Sequence, residues 1–465
     1  MIEFILNDKK VVTNKPTGSL LVDLIRYDQH LKGTKIGCRE GDCGACTVLI
    51  GSLVDGAMQY INVTSCLTPI ANIAGKHIVT IEGLNMVNLS PVQQEMVNES
   101  GTQCGFCTPG FVVSLSNYCL SENEPTQAKS IAAIDGNICR CTGYKPIERT
   151  AHNITDLLLN KDHNNSIKWL IDNQFIPTYF KDIPQLISNL SPFDKVTKAH
   201  KLVGGGTDLY VQQPEVFEEI DIRPINQNAN LRFIRFDETT CILGGSTTVA
   251  DLAQSTKLQK YIPNLLAYIK LVSSTPIRNS STIAGNFVNA SPIGDFTAFF
   301  LALNAQITLQ EDRESRAIFL KDFYKGYKDL DKTASEIITE ITFELPTVST
   351  HFNLEKVSKR IHLDIASVNT AIQIRVKNKV IEHIHLSAGG IGPIPTYLHN
   401  TAQYLQGKKL TPTHIKEANA IMQAEISPIS DVRGTEDYKR LLLRQLFYAH
   451  FIKLFPSQIT LTLLV

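Results

Sequence analysis

The 465-residue sequence predicts a multidomain α+β chain in which a small β-grasp domain, a helical domain and two mixed α/β segments follow one another. Three observations carry this expectation. At the start, Ile2, Phe4 and Leu6 alternate, Asn7-Asp8 turns the chain and Val11-Val12 returns it, as in a hairpin. Leu20, Leu21, Leu24 and Ile25 then recur at helical spacing, a loop rich in Gly and Cys spans 37–46, and residues 47–50 form an apolar run suited to a strand. Hairpin, helix, loop and strand make a β-grasp, expected over 1–84. From Ser90 the texture turns helical. Ser90-Pro91 offers an N-cap and a proline at the first helical position, and Gln93 stands where a capping-box partner belongs. Thr108-Pro109 repeats that start signal, and a helical stretch over 127–134 stops at Asp135-Gly136, so a helical domain is expected over 85–157. Residues 158–175, which open on the polar run 160–166, are expected to be a linker. Mixed α/β texture fills 176–348 and 349–465. It includes a short strand at Lys201-Leu202-Val203, strands over 370–376 and 380–386, and a helical C-terminal end.

Lys+Arg and Asp+Glu number 45 each, which removes a global electrostatic case for nucleic acid or an anionic membrane surface. No stretch approaches the ~18 apolar residues of a membrane span, and the N-terminus lacks the pattern of a secretory signal. Ten cysteines are too few for a disulfide scaffold of this length, so thiolate ligands in a cytoplasmic protein are the expectation.

Eight of those cysteines fall into two groups of four. Cys38, Cys43, Cys46 and Cys66 read C-x4-C-x2-C-x19-C, the plant-type [2Fe–2S] spacing, and Gly37, Gly41 and Gly44 allow the loop to wrap and aim backbone N–H groups at sulfur. A zinc knot is the alternative, but structural zinc favours two short knuckles. Cys104, Cys107, Cys139 and Cys141 read C-x2-C-x31-C-x-C, a less familiar pattern that a zinc site or buried thiols could also explain, and that the neighbouring plant-type group turns towards a second cluster. The first two of these precede a helix N-terminus, whose partial positive charge suits an anionic cluster. Cys119 and Cys241 sit in apolar stretches and read as buried small hydrophobes. His383 and His385 alternate with Ile384 and Leu386 and read as a strand face.

The run Leu202, Val203, Gly204, Gly205, Gly206, Thr207, Asp208 and Leu209 ends a strand and could cradle a pyrophosphate, although a plain glycine turn would explain it equally. It is neither G-x-G-x-x-G nor a Walker A loop. The small and polar residues between Thr282 and Asp295 add to a cofactor reading, in which a Gly205→Val side chain would exclude the pyrophosphate.

With CREGDCGACTV, CGFCTPG, CRCTGY, LVGGGTDL and STIAGNFVNASPIGD in this order, and ISPISDVRGTEDYKR near the end, the chain resembles the iron–sulfur/FAD subunits of the molybdenum hydroxylase family, and within it the small subunits of bacterial xanthine dehydrogenases. The resemblance implies a plant-type ferredoxin domain, a four-helix [2Fe–2S] domain, an FAD domain of the vanillyl-alcohol-oxidase (PCMH) type and a C-terminal α/β cap like that of CO dehydrogenase flavoproteins. It implies FAD contacts at residues 202–209, Thr282, Asn286, Ser291, Asp295 and Ile338, a flavin-proximal Lys356, and a loop with Lys359 and Arg360 near the flavin and the NAD site. Val272 and Leu363 depart from animal relatives, which carry an aromatic and an acidic residue there. The implied partner is a large molybdopterin-binding subunit in a heterodimer or heterotetramer, because no segment after residue 350 is long enough for that domain. Electrons from hypoxanthine or xanthine would cross both clusters and FAD to NAD. A hydroxylase for aldehydes, nicotinate or carbon monoxide, or a stand-alone electron carrier, is the alternative.

Overall fold

The computed structural model describes residues 1–122, 124–191, 193, 201–226 and 228–464. The chain divides into two compact units, one of residues 1–227 with 274–281, the other of 228–273 with 282–465.

The first unit opens with β1 (Ile2–Leu6), β2 (Lys9–Thr13), β3 (Thr47–Val54), β4 (Ala57–Thr64) and β5 (His77–Val79) in the order β2-β1-β5-β3-β4. β1 pairs antiparallel with β2, with Phe4 opposite Val11, and parallel with β5. That mixed pairing is the β-grasp. Alternation buries Ile2, Phe4 and Leu6 against Leu21, Leu24, Ile25, Val48 and Ile50. The helical turn Leu21–Asp23 widens into a π-helical turn at Leu24–Asp28.

Four helices follow: Pro91–Asn98, Thr108–Leu120, Gln127–Ala133 and Lys145–Leu157. Ser90 and Gln93 form the expected capping box. At the second helix the N-cap is Cys107 rather than Thr108, which lies inside the helix as its first residue. The cysteine backbone itself therefore opens the helix. At the other end of that helix, the buried Lys161 donates to the carbonyls of Cys119 (2.7 Å) and Ser121 (2.6 Å), groups that a helix C-terminus leaves unpaired. Lys161 lies in the expected linker, which is not featureless. Helix Ser166–Asp172 buries Leu170, and Phe175 joins the core of the helical domain. The polar run ahead of it hid the apolar positions of this short helix. β6 (Lys201–Val203) pairs parallel with β7 (Ile222–Pro224).

The second unit holds β8 (Ile234–Phe236), β9 (Thr240–Gly244), β10 (Gln306–Glu311), β11 (Glu314–Phe319), β12 (Tyr324–Gly326), β13 (Asp329–Leu330) and β14 (Ile337–Glu344). Five of these make a sheet in the order β11-β10-β14-β9-β8, and Phe287, Phe299, Phe300 and Phe343 fill its core. β15 (Thr350–Val357), β16 (Val368–Lys377), β17 (Val380–Gly389) and β18 (Thr396–Tyr397) form an antiparallel sheet in sequence order. Helix Glu436–Leu454 packs on β15 and β16, with Phe447 and Phe451 in the core beside Ile372. Ile384 and Leu386 face that core while His383 is exposed, as the alternation predicts, but His385, expected on the same exposed face, is half-buried and bonds to the Tyr397 hydroxyl (2.7 Å).

Among the described residues two histidines are fully buried, one in each unit. The ring of His77 bonds to the Asn7 carbonyl (2.9 Å) and the Tyr60 hydroxyl (2.9 Å), and that of His450 to Asn353 (2.8 Å). Burial pushes both down to about 3. The unfolded chain takes up these protons near pH 6.5 and the folded one near 3, so their contribution is complete above about 6.5 and is lost progressively on acidification. Denaturant midpoints at pH 7.5 and pH 5 are expected to show this fall, and His450→Gln to flatten it. An equal fall in the variant would remove His450 from the account.

Candidate iron–sulfur and flavin sites

The loop between the first helical turn and β3 places Cys38, Cys43 and Cys46, and the turn after β4 places Cys66. Left-handed backbone at Arg39, Gly41 and Gly44 lets the loop fold back on itself. A methyl group on Gly37 would lie 2.7 Å from the Cys43 sulfur. The resulting curl turns N–H groups inward. The amide of Glu40 donates to the Cys38 sulfur at 3.3 Å, and those of Cys43 and Asp42 add to it.

The four thiols stand in two pairs. Cys38 is drawn down to about 5, first by a hydrogen bond from Cys43 and then by the surrounding amides, while Cys43 is pushed up. Cys46 and Cys66, both buried, pair likewise, with Cys46 lowered and Cys66 raised. The second group repeats this. Cys107, raised to about 12 by burial and then by its neighbour Cys139, pairs with that thiol, and Cys104 pairs with Cys141. Burial works to raise Cys139, but the Thr142 hydroxyl and amide, the Cys141 amide and Cys107 outweigh it. Among the described residues no group of three or more His, Cys, Asp or Glu is arranged to hold a metal ion. A tetrahedral zinc needs four ligands around one point, whereas a [2Fe–2S] unit takes two thiolates on each of two irons. Pairs of thiols with inward amides fit the two-iron cluster.

The two groups differ in exposure. Cys104 and Cys141 are exposed, with Phe106, Ile138 and Tyr144 around them each about two-fifths exposed at 46%, 41% and 39%. Cys46 and Cys66 lie instead in a core with Leu67, Val203 and Tyr210. Val203 ends β6 and leads into the glycine run, and the Leu67 carbonyl sits 3.5 Å from where a methyl on Gly206 would stand. The glycine run thus abuts the buried cysteine pair. Gly206 is left-handed (φ +80°), the backbone feature that builds anion-binding nests, which suits a pyrophosphate. Gly205 has another task. A methyl there would lie 1.9 Å from the Ser280 carbonyl oxygen, so the side-chain space belongs to helix Thr275–Ser280 and not to a phosphate. That corrects the expected reason for a glycine at 205. Asp208 accepts from Gln212 (2.7 Å) at the start of Leu209–Gln212.

Helix Thr275–Ser280 was not singled out from the sequence. It is lent to the first unit by the segment 274–281. Arg278 donates to Asp135 (2.5 Å), Thr275 N–H to the other oxygen of the same carboxylate (2.8 Å), and Asn279 to the side chain and carbonyl of Asn62 (2.9 Å each). One short helix thereby joins the glycine run, β4 and the turn before Cys139.

In the second unit, Thr282 caps helix Ile283–Asn289, and Asn286 Oδ1 accepts from Thr297 N–H (3.2 Å) and hydroxyl (3.1 Å). Ser291 Oγ accepts from the Ile293 amide (3.4 Å) and Ile338 is buried on β14. Asp295 and Lys356 come together. Lys356 Nζ donates to Asp295 Oδ2 (2.7 Å) and the Leu271 carbonyl (2.8 Å), with its side chain 1% exposed. Asn369, unmarked in the sequence, donates to Asp295 Oδ1 (2.7 Å) and to the Ile293 carbonyl (3.1 Å). Lys359 and Arg360 lie on an exposed turn outside this cluster, where the Asp364 carboxylate accepts from the Arg360 amide (3.0 Å) and Leu363 is left-handed. Val272 packs against the core of this unit. Lys356→Met removes the cation from a carboxylate whose side chain is 11% exposed, a change whose cost approaches the ~3–5 kcal/mol of breaking a fully buried pair. A lowered denaturation midpoint that Lys356→Arg partly restores is the expected result.

Family comparisons follow the same division. Residues 4–71 match the 2Fe-2S iron-sulfur cluster binding domain, 80–152 the [2Fe-2S] binding domain, 173–347 the FAD binding domain in molybdopterin dehydrogenase, and 354–454 the CO dehydrogenase flavoprotein C-terminal domain. This succession bears out the expected architecture, two iron–sulfur domains followed by an FAD domain and a cap like that of CO dehydrogenase flavoproteins. Among curated relatives, xanthine dehydrogenase of Emericella nidulans is 26% identical over 97% of this chain and 38% of its own length, and that of Blastobotrys adeninivorans 27% over 95% and 40%. The chain thus spans about two-fifths of the length of these relatives. Among solved structures, carbon monoxide dehydrogenase from Hydrogenophaga pseudoflava is 25% identical with a TM-score of 0.51, over 53% of this chain and 86% of that one. Quinoline 2-oxidoreductase from Pseudomonas putida shares the fold at 17% identity and a TM-score of 0.51, over 56% and 90%. No helix among the described residues is long and apolar enough to cross a membrane.

Proposed function

We propose that this chain relays electrons from a molybdenum centre, carried outside these four domains by a large molybdopterin-binding partner, through two [2Fe–2S] sites to FAD. The observation that carries the reading is the graded exposure of the two cysteine sets. Cys104 and Cys141 face outward, where a donor can approach, whereas Cys46 and Cys66 are buried against the residues that lead into the glycine run. Iron–sulfur units supply one-electron transfer, and FAD gathers single electrons for a two-electron acceptor. The chain supplies position and electrostatics. Inward amides around Cys38 and Thr142 beside Cys139 offset thiolate charge, and Asn369 and Lys356 hold Asp295 by both oxygens. FAD binding is assigned to residues 202–209, Thr282, Asn286, Ser291, Asp295, Ile338 and Lys356. The exposed Lys359 and Arg360 turn is assigned to NAD.

The xanthine dehydrogenase relatives, aligned over nearly the whole chain, favour a purine substrate with NAD as acceptor. The solved structures carry the names of a carbon monoxide dehydrogenase and a quinoline oxidoreductase, which favour an equivalent subunit serving another hydroxylase. The test is to isolate the chain with its native partners and assay it. A molybdenum-bearing chain is expected to co-purify. The chain alone is expected to oxidise NADH with an artificial acceptor and to leave xanthine untouched. Turnover of aldehyde, nicotinate or carbon monoxide by the complex, with none of xanthine, would select the second reading.

A further inference from the structure

We propose that the Thr142 hydroxyl, through its hydrogen bond to the sulfur of Cys139, sets the reduction potential of the Cys104/Cys107/Cys139/Cys141 site and so the share of an electron between the two cysteine sites. The inference rests on the relay proposed above. Thr142 Oγ1 lies 3.1 Å from Cys139 Sγ, and the Thr142 amide donates to the same sulfur at 3.4 Å. A sulfur bound to iron carries no proton, so between hydroxyl and sulfur only the hydroxyl can donate. The rest of the turn aims it. The Tyr144 amide donates to Thr142 Oγ1 at 3.2 Å, which engages that oxygen as an acceptor and leaves its own proton for the sulfur.

The turn from Cys139 to Tyr144 holds this geometry with its own groups. The Cys139 amide donates to the Tyr144 hydroxyl at 3.2 Å, which ties the ring back to the first cysteine of the turn. Gly143 and Tyr144 are both left-handed, at φ +67° and +69°. That backbone is strained for a tyrosine. It persists because Tyr144 is also the N-cap of helix Lys145–Leu157, where its carbonyl accepts from the Glu148 amide (2.9 Å). Thr142 is half-buried and Cys139 is buried, so the bond is partly shielded from water. A cluster with four thiolates is anionic and gains one more negative charge on reduction. A hydrogen bond to a ligand sulfur strengthens with that charge, so it favours the reduced form and raises the potential of its own site. The equilibrium concerned is one electron shared between the two sites, with no proton moved and no bond made or broken. Thr142 acts through Cys139 and is a positioning residue.

The experiment compares the full-length protein with Thr142→Val and Thr142→Ala, which remove the hydroxyl, and with Thr142→Ser, which keeps it. Iron and acid-labile sulfide are measured on each, and electron paramagnetic resonance follows both sites through a stepwise electrochemical reduction. The signals are assigned from a Cys66→Ser protein, which keeps only the site under test. Both hydroxyl-free variants are expected to hold native iron. In the singly reduced protein they are expected to show about a tenfold smaller ratio of this site's signal to the other's, a downward shift of about 59 mV for one electron. The potential of the Cys38/Cys43/Cys46/Cys66 site is expected to stay unchanged, and Thr142→Ser to match the native protein. Native potentials in both hydroxyl-free variants would overturn the proposal. So would an equal shift in Thr142→Ser, which would assign the effect to the lost methyl group. Loss of iron from both hydroxyl-free variants would overturn it as well, because the hydroxyl would then retain the cluster and not tune it. A native protein holding zinc and little iron would overturn the relay and this inference with it, and is separable because it appears before any substitution.

Discussion

Cys66→Ser is expected to halve the iron and sulfide of the purified protein, from about four to about two of each per chain. One resonance signal should vanish and the other persist. Cys66 is 2% exposed and paired with Cys46, and a serine hydroxyl there stays protonated where a thiolate binds iron. The second set is carried by other helices and turns, so its ligands are untouched. The functional split should be equally sharp. Donor-driven reduction of NAD is expected to fail, because the buried site next to the glycine run is lost, while NADH oxidation by an artificial acceptor at the flavin continues. Retention of both signals with full iron would show that Cys66 is not a ligand.

Much of this arrangement was legible in the sequence because it rests on local rules. The alternation of Ile2, Phe4 and Leu6, the Ser90–Gln93 capping box and the glycines between Cys38 and Cys46 each specify a backbone from a few neighbouring residues. Lys356 was reached only by resemblance, and its pairing with Asp295 spans two distant segments. Asn137, Arg278 and Asn369 gave no signal. An asparagine or arginine in a polar stretch is unremarkable until the chain folds and its partners arrive from elsewhere, as Gly44, Asp135 and Asp295 do here. The helix Ser166–Asp172 was hidden differently. Seven residues are too few to establish a helical period, and tertiary packing of Leu170 supplies what propensity does not.

Gly205 is a glycine expected for one reason and required by the fold for another, and it makes the second large prediction. A triple glycine after a strand invites the reading that bare backbone is needed for phosphate. The structure puts the Ser280 carbonyl 1.9 Å from a Gly205 methyl, well inside van der Waals contact with another main chain. Gly205→Ala must therefore push the glycine run away from helix Thr275–Ser280, and overpacking of this kind costs about 1–3 kcal/mol. The proposed phosphate-facing amides move with the run, so FAD is expected to be largely lost even though alanine is far too small to block a pyrophosphate. Steric exclusion by the side chain predicts otherwise, with alanine tolerated and only valine harmful. The ratio of flavin to iron in purified Gly205→Ala decides between them. A low ratio with iron near the native level supports the backbone contact. A native ratio with normal NADH oxidation would show that the loop yields without cost, and that Gly205 has no part in holding the cofactor.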